Sequence, residues 1–498
     1  MIRPLNRRRW IHLAYIFNNI TSQRGSWLHG RTHIGPPRAA ADVKYIFGDN
    51  VAVNPIPEET TRQENRPVVT FRNPLNGQSF GLNNKLLSTH MLLIGDTGKG
   101  KTNCNYQIID GTNRNLGPED VLIIFDQKGD YFRTFAPFLP SSFVTVISCS
   151  PGYRGITKIW NIFGELMDKN EKGDYLVDAV FTFLFGEETG HSLVKNVESS
   201  YQPFFHVAAM LLIADTIIYM IRTAQATGTP VLLNNKELVK KLIGSTIADF
   251  LQMYDSPLMF DRRGDKDFIY KKDSNMAQGV MAFVRASVNQ MLIGPFGDAA
   301  ADSSREFSIR SIVQAHRQHI VFIINDPILG ETLAPVYGLM MDSAVRTQIS
   351  VNAPENALKN VYLNIDEASL APGHMMDTAI NVGRSKGLKV LMGLQNIQQL
   401  RDIHGKEKGD AIYGGFGNLF AFHMNDPETR DYVRKRLGSN RYMTGMRVNN
   451  VMSYKEADGW TAEDWQLQGL GIGDAVCDLN GYRPFLFHFP EFTVRKNK

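Results

Sequence analysis

The segment from Gly95 to Thr102 concentrates bare backbone, positive charge and a hydroxyl in one bend, a combination suited to binding phosphate. It fits the pattern G-x-x-x-x-G-K-[ST] and reads Gly95-Asp96-Thr97-Gly98-Lys99-Gly100-Lys101-Thr102. Glycines let backbone N–H groups turn inward around phosphate oxygens, and the positive end of a following helix faces the same anion. We expect Lys101 to reach the β- and γ-phosphates and Thr102 to offer its hydroxyl to Mg²⁺. An apolar strand precedes the bend and a plausible helix follows it, so the segment predicts a P-loop that binds ATP.

An acidic pair provides the second half of this chemistry. Asp366 and Glu367 directly follow the apolar run Val361–Ile365. Asp366, at the end of the strand, is expected to hold Mg²⁺ directly or through water. Glu367 can orient and deprotonate the attacking water. The adjacent pair therefore favours ATP hydrolysis over a nucleotide-controlled switch.

Three further polar positions accompany predicted strands. Gln395 ends the strand Lys389–Leu394 and can contact the γ-phosphate or its water, although it could also be an ordinary strand-end residue. Arg384 precedes that strand, and we interpret it as an arginine finger for the neighbouring subunit or as a surface or DNA-contacting arginine. Asp126 ends a buried strand before the turn Lys128–Asp130, at the edge where open α/β sheets bind ligands. That turn by itself indicates only a change of chain direction.

The elements that must position these residues alternate between apolar strands and helical stretches from about Pro67 onward. Several strands are apolar on both faces, as buried parallel strands are, so an α/β domain with helices on both sides of a sheet is predicted. The predicted strands are Met91–Ile94, Val121–Phe125, Phe143–Ile147, His319–Ile324, Val361–Ile365, Lys389–Leu394 and Leu419–Phe422. Between Glu165 and about Arg310 helical periodicity replaces the strands, which predicts an inserted all-α domain.

The composition is that of an ordinary globular protein with more than one folded unit. The chain has 498 residues, and 54 Lys and Arg against 50 acidic residues exclude a uniformly basic nucleic-acid coat. Cys104, Cys149 and Cys477 have no Cys-x-x-Cys spacing, and the histidines have no ligand spacing, so neither a disulfide framework nor a zinc site is predicted. The longest apolar run, Val207–Ile221, is shorter than the ~20 residues that span a bilayer and contains Asp215. A buried core helix is the better interpretation, and no transmembrane helix is predicted.

The N-terminal residues are basic and irregular. Arg3, Arg7, Arg8 and Arg9 could bind anionic lipid or a membrane subunit, or they could belong to a solvated arm. We therefore divide the chain into a basic arm and linker at 1–66, a nucleotide-binding domain at 67–164 and 311–498, and the inserted all-α domain at 165–310.

Together these segments resemble the type IV secretion coupling proteins of the TraD/TraG kind, over roughly Asn73 to Pro490. Besides the P-loop, the phrases that occur in the family's order are FDQKGD, WNIFGEL, FSIRSIV, NIDEAS, GRSKG with GLQ, FAFHMNDPETRDYV and LQGLGIGDAVCDLNGYRPF. The resemblance implies a RecA-like nucleotide-binding domain, ATP and Mg²⁺ as cofactors, and a hexameric ring at the cytoplasmic face of the bacterial inner membrane. It implies DNA with a relaxase, or effector proteins, as substrates, and the secretion channel as the recipient. Within it, Gln395 is the sensing glutamine and Arg384 the trans-acting arginine.

One feature departs from that family, because its members usually have transmembrane helices ahead of the nucleotide domain. We therefore expect peripheral attachment, a separate membrane partner or a truncated form. Two alternatives to a substrate-delivering motor remain: a ring ATPase of the HerA/FtsK or secretion-energising kind, and a nucleotide-gated docking platform without translocation. The helical insertion counts against a plain HerA-like enzyme. Residues Tyr413–Gly417 are candidates for a pore loop.

Overall fold

The structure is a computed structural model that describes residues 40–48, 50–52, 67–74, 76–166, 168–169, 175–176, 203–266, 274–315, 317–350, 359–371, 373–448 and 451–493. The four N-terminal arginines and the predicted linker at 54–66 lie outside the described residues. The chain divides into two compact units: a first unit, Met1–Asn115 with Val390–Lys498, and a second unit, Leu116–Lys389. This division differs from the one that the sequence suggests, which separates residues 165–310.

The described elements are numbered in chain order. The strands are β1 Ala40–Phe47, β2 Val69–Arg72, β3 Ser79–Leu82, β4 Met91–Ile94, β5 Val121–Asp126, β6 Val144–Ile147, β7 Ile159–Trp160, β8 Asp168–Lys169, β9 Tyr175–Leu176, β10 Glu306–Phe307, β11 His319–Ile324, β12 Val361–Ile365, β13 Leu388–Leu394, β14 Asn418–Ala421, β15 Ser439–Val448, β16 Val451–Trp460, β17 Asp474–Asp478 and β18 Phe485–His488. The α-helices are α1 Asn84–Leu87, α2 Lys101–Arg114, α3 Asp130–Phe135, α4 Ile162–Leu166, α5 Pro203–Thr227, α6 Asn235–Gly244, α7 Ile247–Asp255, α8 Ser274–Met291, α9 Ile309–Gln314, α10 Gly330–Ile349, α11 Met376–Asn381, α12 Gln398–His404, α13 Lys406–Gly415, α14 Pro427–Leu437 and α15 Asp464–Gln468.

In the first unit, β4 pairs in parallel with β14 and with the end of β13, and all its residues are buried. Antiparallel pairing then adds β17 to β14 and β18 to β17. The apolar runs that predict β4, β13 and β14 form these strands, with bounds shifted by one residue in β13 and β14. Phenylalanine rings from the β2–β3 hairpin and from β18 pack edge to face, as Phe80 does on Phe485 and Phe487 at 5.0 and 4.9 Å. This aromatic core supports the strands that carry the P-loop.

A three-stranded antiparallel sheet, β1-β15-β16, also belongs to the first unit. The sequence interpretation assigns residues 40–52 to an irregular arm and linker, but β1 pairs with β15 from Ala40↔Met446 to Phe47↔Arg441. Val51 and Ala52 continue the contact, since their backbone N–H groups donate to Thr461 and Pro484. Backbone hydrogen bonds therefore make residues 40–48 and 50–52 part of the folded first unit, although their composition alone indicates an arm and linker.

In the second unit, parallel strands follow the order β12-β5-β11-β6. The four predicted apolar runs form these strands, and β5 is buried along its entire length. The β5–β12 register pairs Phe125 with Ile365, so the residues that follow the two strands lie at the same edge. This edge carries Asp126 and Asp366.

The two ends of the mainly helical segment, residues 165–310, lie side by side in the second unit. β7 pairs in parallel with β10, and the backbone N–H of Asn161 donates to Phe307 O at 2.9 Å. Asn161 also donates its side-chain amide to Glu306 and to Leu233 O, and both contacts are shorter than 3 Å. Within the described residues of 165–310 the chain is mainly helical, apart from the short pair β8–β9.

The predicted core helix is α5, which is long and apolar enough to cross a membrane by length and composition. However, 72% of the most apolar window within Val207–Thr227 is buried inside this molecule. Length and apolar composition are therefore only weak evidence that this helix spans a membrane. Asp215 lies at its centre with no solvent exposure. Its carboxylate accepts hydrogen bonds from Tyr254 Oη at 2.8 Å and from Arg262 Nε at 2.7 Å, which offset the cost of burying the charge.

Candidate nucleotide-binding site

The P-loop adopts a backbone conformation that requires its glycines. Gly95, Gly98 and Gly100 have φ angles of 147°, 75° and 115°, which L side chains rarely adopt. A Cβ at Gly95 would lie 2.8 Å from Phe422 Cβ, and one at Gly100 would lie 2.9 Å from Gly473 Cα. The loop is thus a close-fitting bend of bare backbone.

Neighbouring segments of the first unit brace this loop on both sides. Asp96 N donates to His423 O at 2.8 Å, and Asn425 N donates to Asp96 Oδ2 at 3.0 Å. On the other side, Gly473 N donates to Lys99 O at 2.9 Å. The sequence interpretation assigns no role to His423, Asn425 or Gly473, although each lies in a phrase that the family resemblance singles out.

Lys101 and Thr102 open helix α2 directly after the loop. The Lys101 ammonium donates to the carbonyl oxygens of Gly95 and of Asp96, the latter at 3.1 Å, so the side chain lies back across the loop. Gly100 is the N-cap and supplies no side-chain cap, and the first turn contains no acidic residue. The first N–H groups of α2 and the helix dipole therefore favour an anion at this end.

Gln395 lies next to the start of the P-loop, and its contact with the γ-phosphate or its water stays a prediction. β13 and β4 pair Leu394 with Ile94, and Gly95 N donates to Leu394 O at 3.2 Å. Gln395 N in turn donates to Gln399 Oε1 at 2.7 Å, which fixes the backbone at the strand end.

The acidic pair follows β12 in the second unit. Asp366 N donates to Phe125 O at 3.4 Å, and Tyr131 Oη donates to Asp366 Oδ1 at 2.7 Å. Glu367 is buried, and Ser369 Oγ donates to its Oε1 at 3.0 Å. Both carboxylates are thus held by hydrogen bonds at the carboxyl end of a buried strand.

Asp126 lies beside Asp366 at this edge and is buried. Its carboxylate accepts hydrogen bonds from the backbone N–H of Phe132 at 2.9 Å and of Lys128 at 3.4 Å. Burial raises the pKa of Asp126 to about 6, the Phe132 hydrogen bond opposes that rise, and the charge of Asp366 adds to it. The FDQKGD turn therefore does more than reverse the chain, since it places a second acidic group at the strand edge.

Arg384 lies in a short 3-10 helix, Gly383–Lys386, before β13. Its side chain is exposed, and it makes no hydrogen bond or ion pair with any residue that the structure describes. An exposed guanidinium of this kind is available to an anionic group outside the described part of the chain.

The pore-loop candidate at Tyr413–Gly417 does not have the form of an exposed loop. Tyr413 lies in helix α13, is 1% exposed and packs against Tyr432 with ring centroids 4.3 Å apart. Tyr413 is thus a core residue, whereas Gly414 and Gly415 of the same segment are exposed, and a pore-loop role for the segment stays a prediction.

The groups expected to bind Mg²⁺ suit that ion. The described residues contain no cluster of three or more His, Cys, Asp or Glu that could hold a metal by itself. Mg²⁺ in phosphate sites usually takes one or two carboxylates and completes its shell with phosphate oxygens and water. In the first unit Thr102 is an exposed hydroxyl, and in the second unit Asp366 is a partly exposed carboxylate, so each by itself is a group that Mg²⁺ accepts.

The model of the family described as the type IV secretion-system coupling protein DNA-binding domain matches residues 78–463. The chain belongs to this family. No curated protein matches the sequence of this coupling protein.

Solved structures similar to this coupling protein include three of the conjugative coupling protein TrwB. An unbound form has a TM-score of 0.70 at 18% identity, over 90% of this chain and 94% of that chain. A complex with the non-hydrolysable ATP analogue ADPNP has a TM-score of 0.68 at 18% identity, over 90% and 95% of the two chains. A complex with ADP and Mg²⁺ has a TM-score of 0.68 at 17% identity, over 91% and 95%. The expected fold, a RecA-like nucleotide-binding domain with an all-α domain, is confirmed.

Proposed function

We propose that this coupling protein binds ATP with Mg²⁺ and hydrolyses the ATP to recruit DNA, as a relaxase–DNA complex, or effector proteins and pass them to a type IV secretion channel. The observation that carries the proposal is the P-loop itself, with glycines at positive φ, Lys101 folded over the bend and an uncapped helix behind it. The TrwB complexes with ADPNP and with ADP and Mg²⁺ support the choice of ligand.

The residues of this chain have separate roles in the proposed reaction. The loop N–H groups and Lys101 bind the phosphates, and Thr102 and Asp366 hold the metal. Bound Mg²⁺ supplies neutralisation of the charge that develops on the phosphate oxygens. Glu367 takes the proton of the attacking water. Gln395 contacts the γ-phosphate or that water and responds when the γ-phosphate is lost.

We also infer an assembly in which a neighbouring subunit completes each site. Arg384 acts as the trans-acting finger of a hexameric ring, because its side chain is exposed and has no partner among the described residues. The ring would lie at the cytoplasmic face of the inner membrane, reached peripherally or through a membrane partner. Residues 165–310 would form the all-α domain, 67–164 and 311–498 the nucleotide domain, and the basic N-terminal residues an arm.

The decisive experiment is ATP hydrolysis by the purified full chain with and without DNA. We expect measurable turnover with Mg²⁺, and an increase when single-stranded or double-stranded DNA is added. Binding of ATP without turnover under any condition would favour the docking platform. Equal turnover with and without both DNA forms would favour a secretion-energising ring ATPase whose substrate is protein.

Lys101→Ala is the control for the site. It should abolish hydrolysis and strongly weaken ATP binding, because the phosphates lose their main positive partner. Unchanged ATPase activity in this variant would contradict the assignment of the P-loop. Lys85→Ala serves as the matched substitution, since Lys85 lies in α1 of the same unit, outside the P-loop.

A further inference from the structure

We propose that Tyr131 is a positioning residue that fixes Asp366 for metal binding, an inference that rests on the proposed nucleotide-dependent function. Tyr131 follows the FDQKGD turn and lies 235 positions from Asp366 in the chain. Its aromatic ring indicates only a core residue when the sequence is considered alone. The structure instead brings its hydroxyl to the carboxylate expected to hold Mg²⁺.

The turn that carries Tyr131 is held in one conformation. Asp126 closes it by accepting the backbone N–H groups of Lys128 and Phe132. Gly129 has a φ of 72°, and a Cβ there would lie 2.2 Å from Tyr153 Oη, so a side chain is excluded on two grounds. Helix α3 starts directly afterwards, and Tyr131 therefore leaves the turn in a fixed direction.

The hydroxyl of Tyr131 reaches its target inside the protein. The Tyr131 residue has 0% exposure, and its Oη lies 2.7 Å from Asp366 Oδ1. Hydrogen bonds to a carboxylate are short and stronger than neutral ones. Because the ring is enclosed, the Tyr131 hydroxyl can leave this contact only with a change in packing.

This contact restrains the carboxylate of Asp366 directly. The Asp366 backbone is held beside β5 by its hydrogen bond to Phe125 O, whereas the hydrogen bond from Tyr131 acts on the carboxylate itself. A donor on Oδ1 selects one orientation and thereby sets the direction of the other oxygen. Outer partners of metal ligands act in this way, and losing one typically costs 10–100-fold in metal affinity.

The test compares Tyr131→Phe with Tyr153→Phe in the full chain. Both changes remove one tyrosine hydroxyl close to helix α3. Tyr153 lies in the 3-10 helix Pro151–Tyr153, its Oη accepts a hydrogen bond from Arg133 at 3.3 Å, and its ring packs on Phe132. Two quantities are measured for each variant. One is the affinity for ATP in EDTA, and the other is the affinity for Mn²⁺ in the presence of ADP, monitored by electron paramagnetic resonance. We expect Tyr131→Phe to weaken Mn²⁺ binding about tenfold or more, with ATP binding in EDTA unchanged. Tyr153→Phe should match the wild type in both readings.

A double-mutant cycle with Asp366→Asn provides a second, independent reading. If Tyr131 acts through Asp366, adding Tyr131→Phe to Asp366→Asn should weaken Mn²⁺ binding no further. Additive losses, equal losses in both tyrosine variants, or Mn²⁺ binding within twofold of the wild type in Tyr131→Phe would overturn the positioning role. A wild-type protein that binds no ATP would instead remove the proposed function, and the inference with it.

Discussion

Asn425 donates both its backbone N–H and its side-chain amide to Oδ2 of Asp96, the second residue of the P-loop, and the backbone contact measures 3.0 Å. The loop after β14 thus holds the P-loop by hydrogen bonds to its second residue, Asp96. This relationship gives a role to the FHMND part of the family phrase that surrounds Asn425.

Asn425→Ala should weaken ATP binding several-fold, because the loss of one hydrogen bond to a carboxylate costs about 1–2 kcal/mol and frees the start of the loop. The backbone contact remains, so the fold should persist. Titration with ATP measures the effect. Asn76→Ala, which removes an exposed side-chain contact in the β2–β3 turn, is the matched control and should leave affinity unchanged.

Glu367→Gln should bind ATP normally but turn it over more slowly by a factor of ~10² or more, because the amide keeps the shape of the side chain and cannot accept the proton. Steady-state hydrolysis and equilibrium binding separate the two effects. Glu331→Gln makes the same change at an exposed position of the second unit and should have no effect. If affinity for ATP collapsed as well, Glu367 would be a structural residue.

Arg384→Ala should bind ATP and hydrolyse it ~10³-fold more slowly, since a guanidinium that stabilises transition-state charge is worth about that factor. Mixing this variant with Lys101→Ala should restore part of the activity, because a mixed interface can combine an intact P-loop with an intact finger. Lys386→Ala, which removes a charge from the same short helix, is the control. No restoration at any ratio, in rings verified by mass measurement, would exclude a trans-acting role.

His319 should make stability depend on pH. Burial lowers the pKa of His319 to about 4, the charges of Arg317 and Lys158 add to that decrease, and its Nε2 lies 2.9 Å from Thr145 Oγ1. The pKa of His319 is near 6.5 in the unfolded chain and about 4 in the folded chain, so between these pH values the unfolded chain binds more protons than the folded chain. The free energy of unfolding is therefore highest above this pH range, as far as His319 is concerned, and decreases as the pH falls through it. At pH 5 the loss would be up to about 2 kcal/mol.

The measurement is the stability difference between wild type and His319→Gln at pH 7 and pH 5. Asp126 acts in the opposite direction, because its raised pKa lowers stability as the pH rises through about 6. Both proteins contain Asp126, so its effect cancels in the difference. A difference that does not vary with pH would show that His319 titrates normally.

Glu165 should be among the most sensitive positions of the second unit. Its buried carboxylate accepts hydrogen bonds from Trp160 Nε1 at 2.7 Å, from Ile309 N at 2.6 Å and from Arg310 N at 2.9 Å, and Ser343 Oγ also donates to it. Glu165→Ala leaves these donors without a partner, each costing about 1–3 kcal/mol, so we expect a loss of at least ~3 kcal/mol. Urea unfolding measures it. Glu119→Ala removes an exposed ion pair to Lys359 and should cost well under 1 kcal/mol.

The sequence predicts the buried parallel strands well because their apolar runs leave few alternatives, and it predicts the P-loop because phosphate binding restricts residue type at fixed spacing. The hairpin β15–β16 is not predicted, since its sequences mix polar, charged and aromatic residues without regular alternation. Helical periodicity alone does not give the boundary between α6 and α7 either, although Thr246 and Asp249 form a capping box whose spacing is visible in the sequence.

Most of the structural features that the sequence does not predict depend on contacts between residues far apart in the chain. Glu165 meets its partners across 144 and 178 positions, and Tyr131 meets Asp366 across 235. Nothing in the local pattern around these residues marks the contact, because each residue type also suits an ordinary core or turn. The phrases WNIFGEL and FSIRSIV thus belong to one hydrogen-bonded cluster that only the fold brings together.

The chain leaves for its helical segment at Asn161 and returns at Phe307, and there the two backbones are one hydrogen bond apart at 2.9 Å. A gap this short can be closed by a segment of almost any length, because each doubling of a loop adds only about 0.6 kcal/mol of closure cost. The length of the chain after Glu165 can therefore change in evolution while Glu165 keeps its partners and β7 and β10 keep their register. Chimaeras that exchange the residues between Glu165 and Glu306 should therefore keep the β7–β10 pairing.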